Sequence, residues 1–181
     1  MKKFSMLTTF VAIVLSITLI SCGSDKPKIS AQDYNNNLIT IQMNVVNKIL
    51  ALSKTFEKLV PAEMEAGLKQ FQESVDKAIA EVAKIEAYDG DSSLKDAVTN
   101  LLKFYQAASV NEYKQMIDIL KKGAAITPED QNILVQIGEK ISSQEKGLDD
   151  AMKAAQSAFA KKNNFTIETN DKQKEIDNLG K

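Results

Sequence analysis

The stretch PAEMEAGLKQFQESVDKAIAEVAKI, residues 61–85, decides the fold of this chain. Its apolar residues recur at alternating spacings of four and three without a slip: Met64, Leu68, Phe71, Val75, Ala78, Val82 and Ile85. This is the period of one face of an α-helix, and its regularity is that of a coiled-coil seam. Pro61 is tolerated only in the first turn of a helix, so it predicts where this helix begins. Tyr88, Asp89 and Gly90 predict its end, because the glycine can adopt the left-handed conformation.

A longer helix is predicted before this stretch. Ser30, with Asp33 three residues later, has the spacing of a helix amino-terminal cap. The apolar residues that follow again recur at spacings of three and four: Tyr34, Leu38, Ile41, Val45, Ile49, Leu52, Phe56 and Leu59. A helix over residues 31–59 would be about 44 Å long, at ~1.5 Å per residue.

A third helix is predicted after Gly90, with Ser93 and Asp96 as its capping pair. Its apolar stripe consists of Leu94, Val98, Leu101, Tyr105 and Ala108. The phase of the stripe then jumps across residues 109–112, where Ser109 and Glu112 have the spacing of an internal capping box. The sequence therefore predicts a bend or break at this point. A continuous helix whose apolar face drifts is the alternative.

A fourth helix has the clearest start signal in the chain. Gly123 ends the third helix, and Thr127 follows as a cap with Pro128 at the first helical position and two acids in the first turn. Its stripe consists of Leu134, Ile137, Ile141, Leu148, Met152, Ala155 and Phe159. The pattern fails from Lys161, which leaves residues 163–181 as a polar carboxy-terminal tail.

Four amphipathic helices with short connections predict an all-α fold, an antiparallel up-down-up-down four-helix bundle over residues 31–162. Short loops force neighbouring helices to be antiparallel, and no useful period-two alternation competes with the helical pattern. The alternative is a hairpin of the first two helices that pairs with a second molecule.

The amino terminus has the pattern of an export signal. Lys2 and Lys3 precede an almost purely apolar run, residues 6–20. As a helix this run would cover about 22 Å, which is short of the ~30 Å hydrocarbon core of a bilayer. Residues 1–21 are therefore predicted to be a signal peptide, and the polar residues 22–30 a flexible tether.

The end of the apolar run, Leu19, Ile20, Ser21 and Cys22, resembles the lipobox of bacterial lipoproteins. The resemblance implies that signal peptidase II cuts between Ser21 and Cys22, and that Cys22 carries the lipid that anchors the protein to a membrane. Gly23 rather than aspartate follows the cysteine, which in Gram-negative sorting implies the outer membrane and, as a further possibility, the cell surface. The alternative is an incidental thiol and an apolar run that stays as an uncleaved anchor.

The composition excludes several kinds of chemistry. The chain contains no histidine, arginine or tryptophan. Without histidine there is no Ser-His-Asp catalysis and no histidine-bound metal, so no catalytic residue, metal or cofactor is expected. Loss of Lys2 and Lys3 with the signal peptide would leave 21 lysines against 24 acids, a net charge of −3. This gives no reason to expect nucleic acid binding.

Polar residues near the middle of the helices are the candidates for a ligand site. Asn44, Asn47, Asn111 and Gln144 fall at comparable heights in an antiparallel bundle, so they are candidates to line a small polar cavity. Side chains that face solvent, or one polar core residue that fixes the helix register, are the alternative.

The mature chain also resembles a family of small all-helical surface lipoproteins of spirochaetes and Bacteroidota. The resemblance rests on Asp33, Tyr34 and Asn35, on Glu112 and Tyr113, and on the run QSAFAKKNNF, residues 156–165. It implies a surface lipoprotein and no site residues. The sequence as a whole favours a non-enzymatic binding or structural module that meets a protein or glycan partner. The alternative is a small-ligand or sensor bundle that uses the mid-helix polar residues.

Overall fold

The computed structural model describes residues 29–167. Five α-helices account for most of them: α1 Ala31–Lys58, α2 Pro61–Ala83, α3 Ser93–Val110, α4 Glu112–Leu120 and α5 Pro128–Lys162, with a short 3-10 turn at Gly123–Ala125. Helices α3 and α4 together form one broken rod, called the third rod below. The predicted all-α four-helix bundle is therefore confirmed. The expected signal peptide and lipobox lie outside the described residues.

Local chemistry at Ser30 starts α1 as predicted. The amide of Asp33 donates to the Ser30 hydroxyl at 3.0 Å, and that hydroxyl donates to the Asp33 carboxylate at 2.6 Å. At the other end, Leu59 adopts a left-handed conformation with φ of 52°, and Pro61 is the first residue of α2. The absent amide hydrogen of Pro61 costs nothing there, because the first turn of a helix has no carbonyl partner for it.

Helix α2 ends earlier than the sequence suggested. Its last residue is Ala83, not a residue near Tyr88. Residues Tyr88 and Asp91 instead exchange backbone hydrogen bonds of 3.2 and 2.8 Å across a two-residue turn. Asp89 and Gly90 both have positive φ in this turn, at 50° and 77°, so the left-handed glycine is present but belongs to a tight turn beyond the helix.

The start of α3 also differs from the prediction. The cap position is Ser92, and Ser93 is the first helical residue. The Asp91 carboxylate accepts hydrogen bonds from the Ser93 amide at 3.0 Å and the Ser93 hydroxyl at 2.6 Å. Asp91, which precedes the helix, therefore provides the capping hydrogen bonds that were predicted for Ser93.

The core is centred on the apolar stripe of α2, as the sequence predicted. All of the α2 stripe from Met64 to Val82 is buried, and it meets the stripes of α1, α3 and α5 in one cluster. The Phe71 ring lies edge-on to Tyr113 and Tyr105, with centroids 5.5 and 6.3 Å apart. Gly67 lets α1 approach α2 closely, because a Cβ atom there would lie 3.2 Å from the Leu52 side chain. Burial of each large apolar side chain of this kind contributes about 1.5–3 kcal/mol.

Four aromatic rings hold the end of the bundle where α1 begins. Tyr34, Tyr88 and Phe159 lie 5.4–5.5 Å from one another, and Phe165 lies 6.0 Å from Phe159. This set of four rings is called the aromatic cluster below. Phe165 reaches it because α5 ends in a Schellman motif: its amide donates to the Ala160 carbonyl at 3.2 Å, and Asn164 has a φ of 55°.

None of the helices between residues 29 and 167 combines the length and the apolar character that crossing a membrane requires.

Candidate functional site: the break in the third rod

The third rod is interrupted at Asn111, as the phase jump in the sequence predicted. Helix α3 ends at Val110, α4 begins at Glu112, and Asn111 between them has φ of −108° and ψ of −79°. The Asn111 amide and its side-chain nitrogen both donate to the Ala107 carbonyl, at 3.2 and 2.9 Å. Two donors from Asn111 thus share one carbonyl in the last turn of α3.

The predicted capping box at the break is not formed. Ser109 is buried, and its hydroxyl donates to the Gln106 carbonyl at 2.7 Å. Helix α4 starts without any side-chain hydrogen bond at its cap position. The change of apolar phase, rather than a local cap, therefore accounts for the position of the break.

Side chains from the neighbouring helices bind to residues at the break. Gln72 of α2 donates its side-chain nitrogen to the Ser109 carbonyl at 3.2 Å, which pairs a carbonyl in the last turn of α3. From α5, the Lys140 ammonium contacts the Glu112 carboxylate at 2.6 Å. The Glu112 side chain is only 15% exposed, so this pair is partly shielded from solvent. The break is thus connected to both flanking helices.

A tyrosine and a glutamate pair inside the bundle beside the break. The Tyr105 hydroxyl donates to the Glu145 carboxylate at 2.7 Å. Burial, and then the negative charge of Glu145, raise the pKa of Tyr105 well above its usual value. The same two causes, burial first, raise the pKa of Tyr113. Both phenols therefore stay protonated at neutral pH, and Tyr105 acts as a hydrogen-bond donor to Glu145.

The structure does not bring the predicted polar layer together. Asn44, Asn47, Asn111 and Gln144 are all exposed. Asn44 and Asn47 border a surface depression between α1 and α2, whereas Asn111 borders another one beside the break. These four residues therefore do not line the interior of the bundle.

Among residues 29–167, the buried polar residues are different ones, namely Asn35, Gln42, Ser109 and Asp130. Asn35 of α1 accepts a hydrogen bond of 3.0 Å from the Gln156 side chain of α5, which ties the first helix to the last. Asn35 and Gln42 are seven residues apart, at the edge of the α1 apolar stripe. This heptad spacing is the feature of the sequence from which the burial of these two polar residues could have been predicted.

The bundle has shallow surface depressions among its described residues. Three of them have volumes of about 510 to 540 Å³, and all are open to solvent. The one at the break combines Asn111 with Gln72, Asp76 and Lys103. Small-ligand pockets are typically concave and bury most of the ligand, which these open depressions do not do.

An acidic turn lies at the end of the bundle where α3 begins. The Asp91 carboxylate contacts the Lys162 ammonium at 2.6 Å. This contact, together with the hydrogen bonds from Ser93, holds the pKa of Asp91 well below its usual range. Within residues 29–167, no group of three or more histidine, cysteine, aspartate or glutamate side chains is arranged to hold a metal ion.

The chain matches no protein-family model, no curated protein and no solved structure.

Proposed function

We propose that this protein is a lipid-anchored, non-enzymatic binding or structural module of a bacterial envelope, held at the outer membrane through Cys22. The observation that carries the proposal is the spacing of Leu19, Ile20, Ser21 and Cys22, directly followed by a short polar segment and then by the first helix at Ala31. One acyl chain binds a membrane only marginally, whereas two or three make the attachment stable.

The chemistry of the described side chains supports a non-enzymatic role. The buried Tyr105 pairs with the half-buried Glu145, and the polar groups at the break pair with backbone carbonyls or with charges from adjacent helices. A small-ligand bundle is not proposed, because the four polar residues on which that reading depended are exposed and lie apart.

The shape of the bundle supports a partner-binding role at one end. Helix α1 starts beside the proposed anchor and runs for 28 residues, about 42 Å, to Lys58. The turn between α1 and α2 therefore lies at the opposite end of α1 from the point where residues 22–30 join the bundle. Two large apolar residues are exposed in that turn, Leu59 at 54% and Val60 at 41%. We propose that this far end contacts a protein or glycan partner.

The anchor is tested by replacing Cys22 with serine and labelling cells metabolically with a fatty acid. The wild-type chain incorporates label and has the mass of residues 22–181 plus acyl chains, whereas Cys22→Ser has no acyl mass. Ser21→Ala is the matched control, because alanine keeps the small residue before the cysteine. Acyl mass on Cys22→Ser, or an unlabelled wild-type chain that still begins at Met1, would refute the anchor.

The far-end contact is tested separately with a photo-crosslinking residue placed at position 59 or at position 29 in intact cells. Position 29 is 50% exposed, against 54% for position 59, but it lies at the other end of α1, which makes it the matched control. Crosslinks to one defined partner from position 59 and not from position 29 are expected. Equal crosslinking from both positions would mean that the far end is not the contact surface.

A further inference from the structure

The turn that joins α1 to α2 contains a leucine in a conformation that leucine rarely adopts. Leu59 ends α1 with φ of 52° and ψ of 32°, which is the left-handed region. Helices that end in this way usually place glycine there, because a Cβ atom crowds the following carbonyl oxygen. The side chain gains little from burial in return, since Leu59 is 54% exposed and lies outside the core cluster. Leucine at this position therefore lowers the stability of the fold.

The other left-handed residues of the bundle are of types that tolerate this conformation. Among residues 29–167, positive φ is otherwise found at Asp89, Gly90, Gly123 and Asn164. Glycine adopts it freely, and aspartate and asparagine do so because their short polar side chains bond to nearby backbone. Leu59 has neither property. Residues held in such strained conformations cluster at binding and switch sites, so the strain at Leu59 points to a contact that the leucine makes.

The turn also fixes the residue that follows Leu59. Val60 is extended, with φ of −94° and ψ of 109°, and Pro61 after it restricts Val60 to this region. The Lys58 ammonium contacts the Glu63 carboxylate at 2.9 Å, which links the end of α1 to the start of α2 across the turn. Val60 is 41% exposed. The turn thus presents two neighbouring apolar side chains in a preset geometry, and a rigid loop loses little conformational entropy when it binds.

The charges around these two apolar residues favour an uncharged partner surface. Lys58 is paired with Glu63, and Lys121, directly after α4, is paired with Glu65 of α2. Anionic lipid headgroups and acidic glycans are attracted by clusters of lysines with net positive charge, and these pairs carry none. The buried centre of a protein interface is instead apolar and poor in charge. An apolar recess in a protein surface therefore matches the two exposed side chains best.

We propose that Leu59 is the residue that binds the partner at this end of the bundle, and that it inserts together with Val60 into an apolar recess of a protein. The left-handed backbone and the exposure of Leu59 are then the consequence of presenting that side chain. This inference rests on the partner contact proposed above, and it is narrower, because it selects a protein partner and assigns the contact to one residue.

Two substitutions at position 59 of the full-length chain separate the strain from the contact. Leu59→Gly removes both the side chain and the strain. Leu59→Ala removes most of the side chain but keeps the Cβ atom that causes the strain. The Tm of Leu59→Gly should therefore exceed that of Leu59→Ala by about 2–4 °C, and it should also exceed that of the wild type. A wild-type chain that is more stable than Leu59→Gly would show that Leu59 supports the fold, which would overturn the inference.

A photo-crosslinking residue at position 60 in intact cells measures the contact. With Leu59 present, one protein adduct of defined mass is expected. Both Leu59→Gly and Leu59→Ala should lower its yield about tenfold, as for a residue at the centre of an interface. Leu59→Met keeps an apolar side chain of similar volume and should retain most of the adduct. Val135→Ala, at an exposed position of α5, should leave the yield unchanged.

Three outcomes would overturn the inference, and they are distinguishable. An unchanged adduct in Leu59→Gly and Leu59→Ala would remove the role of Leu59 and leave the partner contact of the turn standing. An adduct with the mass of a lipid or a glycan would replace the protein partner by one of those. The absence of any adduct from position 60 in the wild-type background would refute the partner contact itself, and this inference with it.

Discussion

Helix α2 and the third rod lie side by side in the same core, yet one is continuous and the other is broken. The apolar spacing of α2 alternates between four and three from Met64 to Val82, and every residue of that seam is buried. The third rod keeps the same rhythm only as far as Ala108 and resumes it at Tyr113. Since the restart at Glu112 has no side-chain cap, the phase of the apolar seam decides continuity, and local capping does not.

The largest effect is expected from the unbroken seam. Phe71→Ala removes a fully buried ring that packs on Tyr105 and Tyr113, so it should lower the free energy of unfolding by about 3–5 kcal/mol. Urea denaturation at pH 7 measures the loss. Val135→Ala, at a position that is 59% exposed, should change stability by less than about 0.5 kcal/mol. Similar losses for both variants would mean that the seam is not the centre of the core.

The contact that joins the broken rod to α5 should have the next largest effect. Tyr105→Phe leaves the Glu145 carboxylate without its 2.7 Å donor and should destabilise the protein by about 1.5–3 kcal/mol. Glu145→Gln keeps an acceptor oxygen for the phenol, so its loss in the same urea titration should be smaller. If Glu145→Gln proved more destabilising than Tyr105→Phe, the charge rather than the hydrogen bond would matter at this site.

The capped start of α5 can be compared with the start of α4, which has no side-chain cap. At α5, the Thr127 hydroxyl accepts from the Asp130 amide at 3.1 Å, and the Asp130 carboxylate accepts in return from the Thr127 amide at 3.0 Å. Thr127→Ala should therefore cost about 1 kcal/mol in thermal or urea unfolding. Ser92→Ala is the comparison, because the Ser92 hydroxyl at the cap position of α3 donates to the Asp96 carboxylate at 2.6 Å but accepts no backbone amide. An equal loss at both positions would show that the capping box adds nothing.

The break itself should tolerate substitution. Asn111→Ala loses the 2.9 Å bond to the Ala107 carbonyl, but alanine has the higher helix propensity by up to about 0.7 kcal/mol. The net change in the free energy of unfolding should stay below about 0.5 kcal/mol. A loss above about 1 kcal/mol would mean that Asn111, and not the apolar phase, creates the break.

The smallest effect on stability is expected from the ion pair of Asp91 in the turn before α3, and it depends on pH. The folded chain lowers the pKa of Asp91 below its ordinary value of 3.8, mainly through Lys162. Its contribution to stability is therefore present above pH 3.8 and is lost as the pH falls further. The difference in urea midpoint between the wild type and Asp91→Asn should be largest at pH 7 and should shrink towards pH 2. A difference that does not vary with pH would exclude the ion pair as its cause.

The fold was predictable because its signals are local. The starts at Ser30, Pro61 and Thr127 depend on hydrogen bonds or ring geometry within about one helical turn, which the sequence displays directly. The early end of α2 was not predictable in this way. Asp89 and Gly90 have positive φ because they form a tight turn that Tyr88 and Asp91 close. The same residue types also occur where a helix ends, so the sequence does not distinguish the two structures.

The interior polar contacts were less predictable, because they join residues far apart in sequence. Tyr105 and Glu145 are 40 positions apart, and Asn35 and Gln156 are 121 positions apart. The predicted polar layer was based only on the height of each residue along the bundle. Asn44 and Gln144 lie on the solvent-facing sides of their helices, which height alone does not show. Ser109 shows the same limitation, since its burial against α2 removed it from the predicted capping box.

The aromatic cluster has a mechanical consequence for the proposed anchor at the amino terminus. A pull on the chain before Ile29 enters the bundle at the first turn of α1, where Tyr34 is packed on Phe159 and Tyr88. The load therefore passes at once to α5 and to the turn between α2 and α3, instead of peeling α1 away from its end. The four rings thus tie the start of α1 to α5 and to the turn between α2 and α3, so that all three segments share a force applied there.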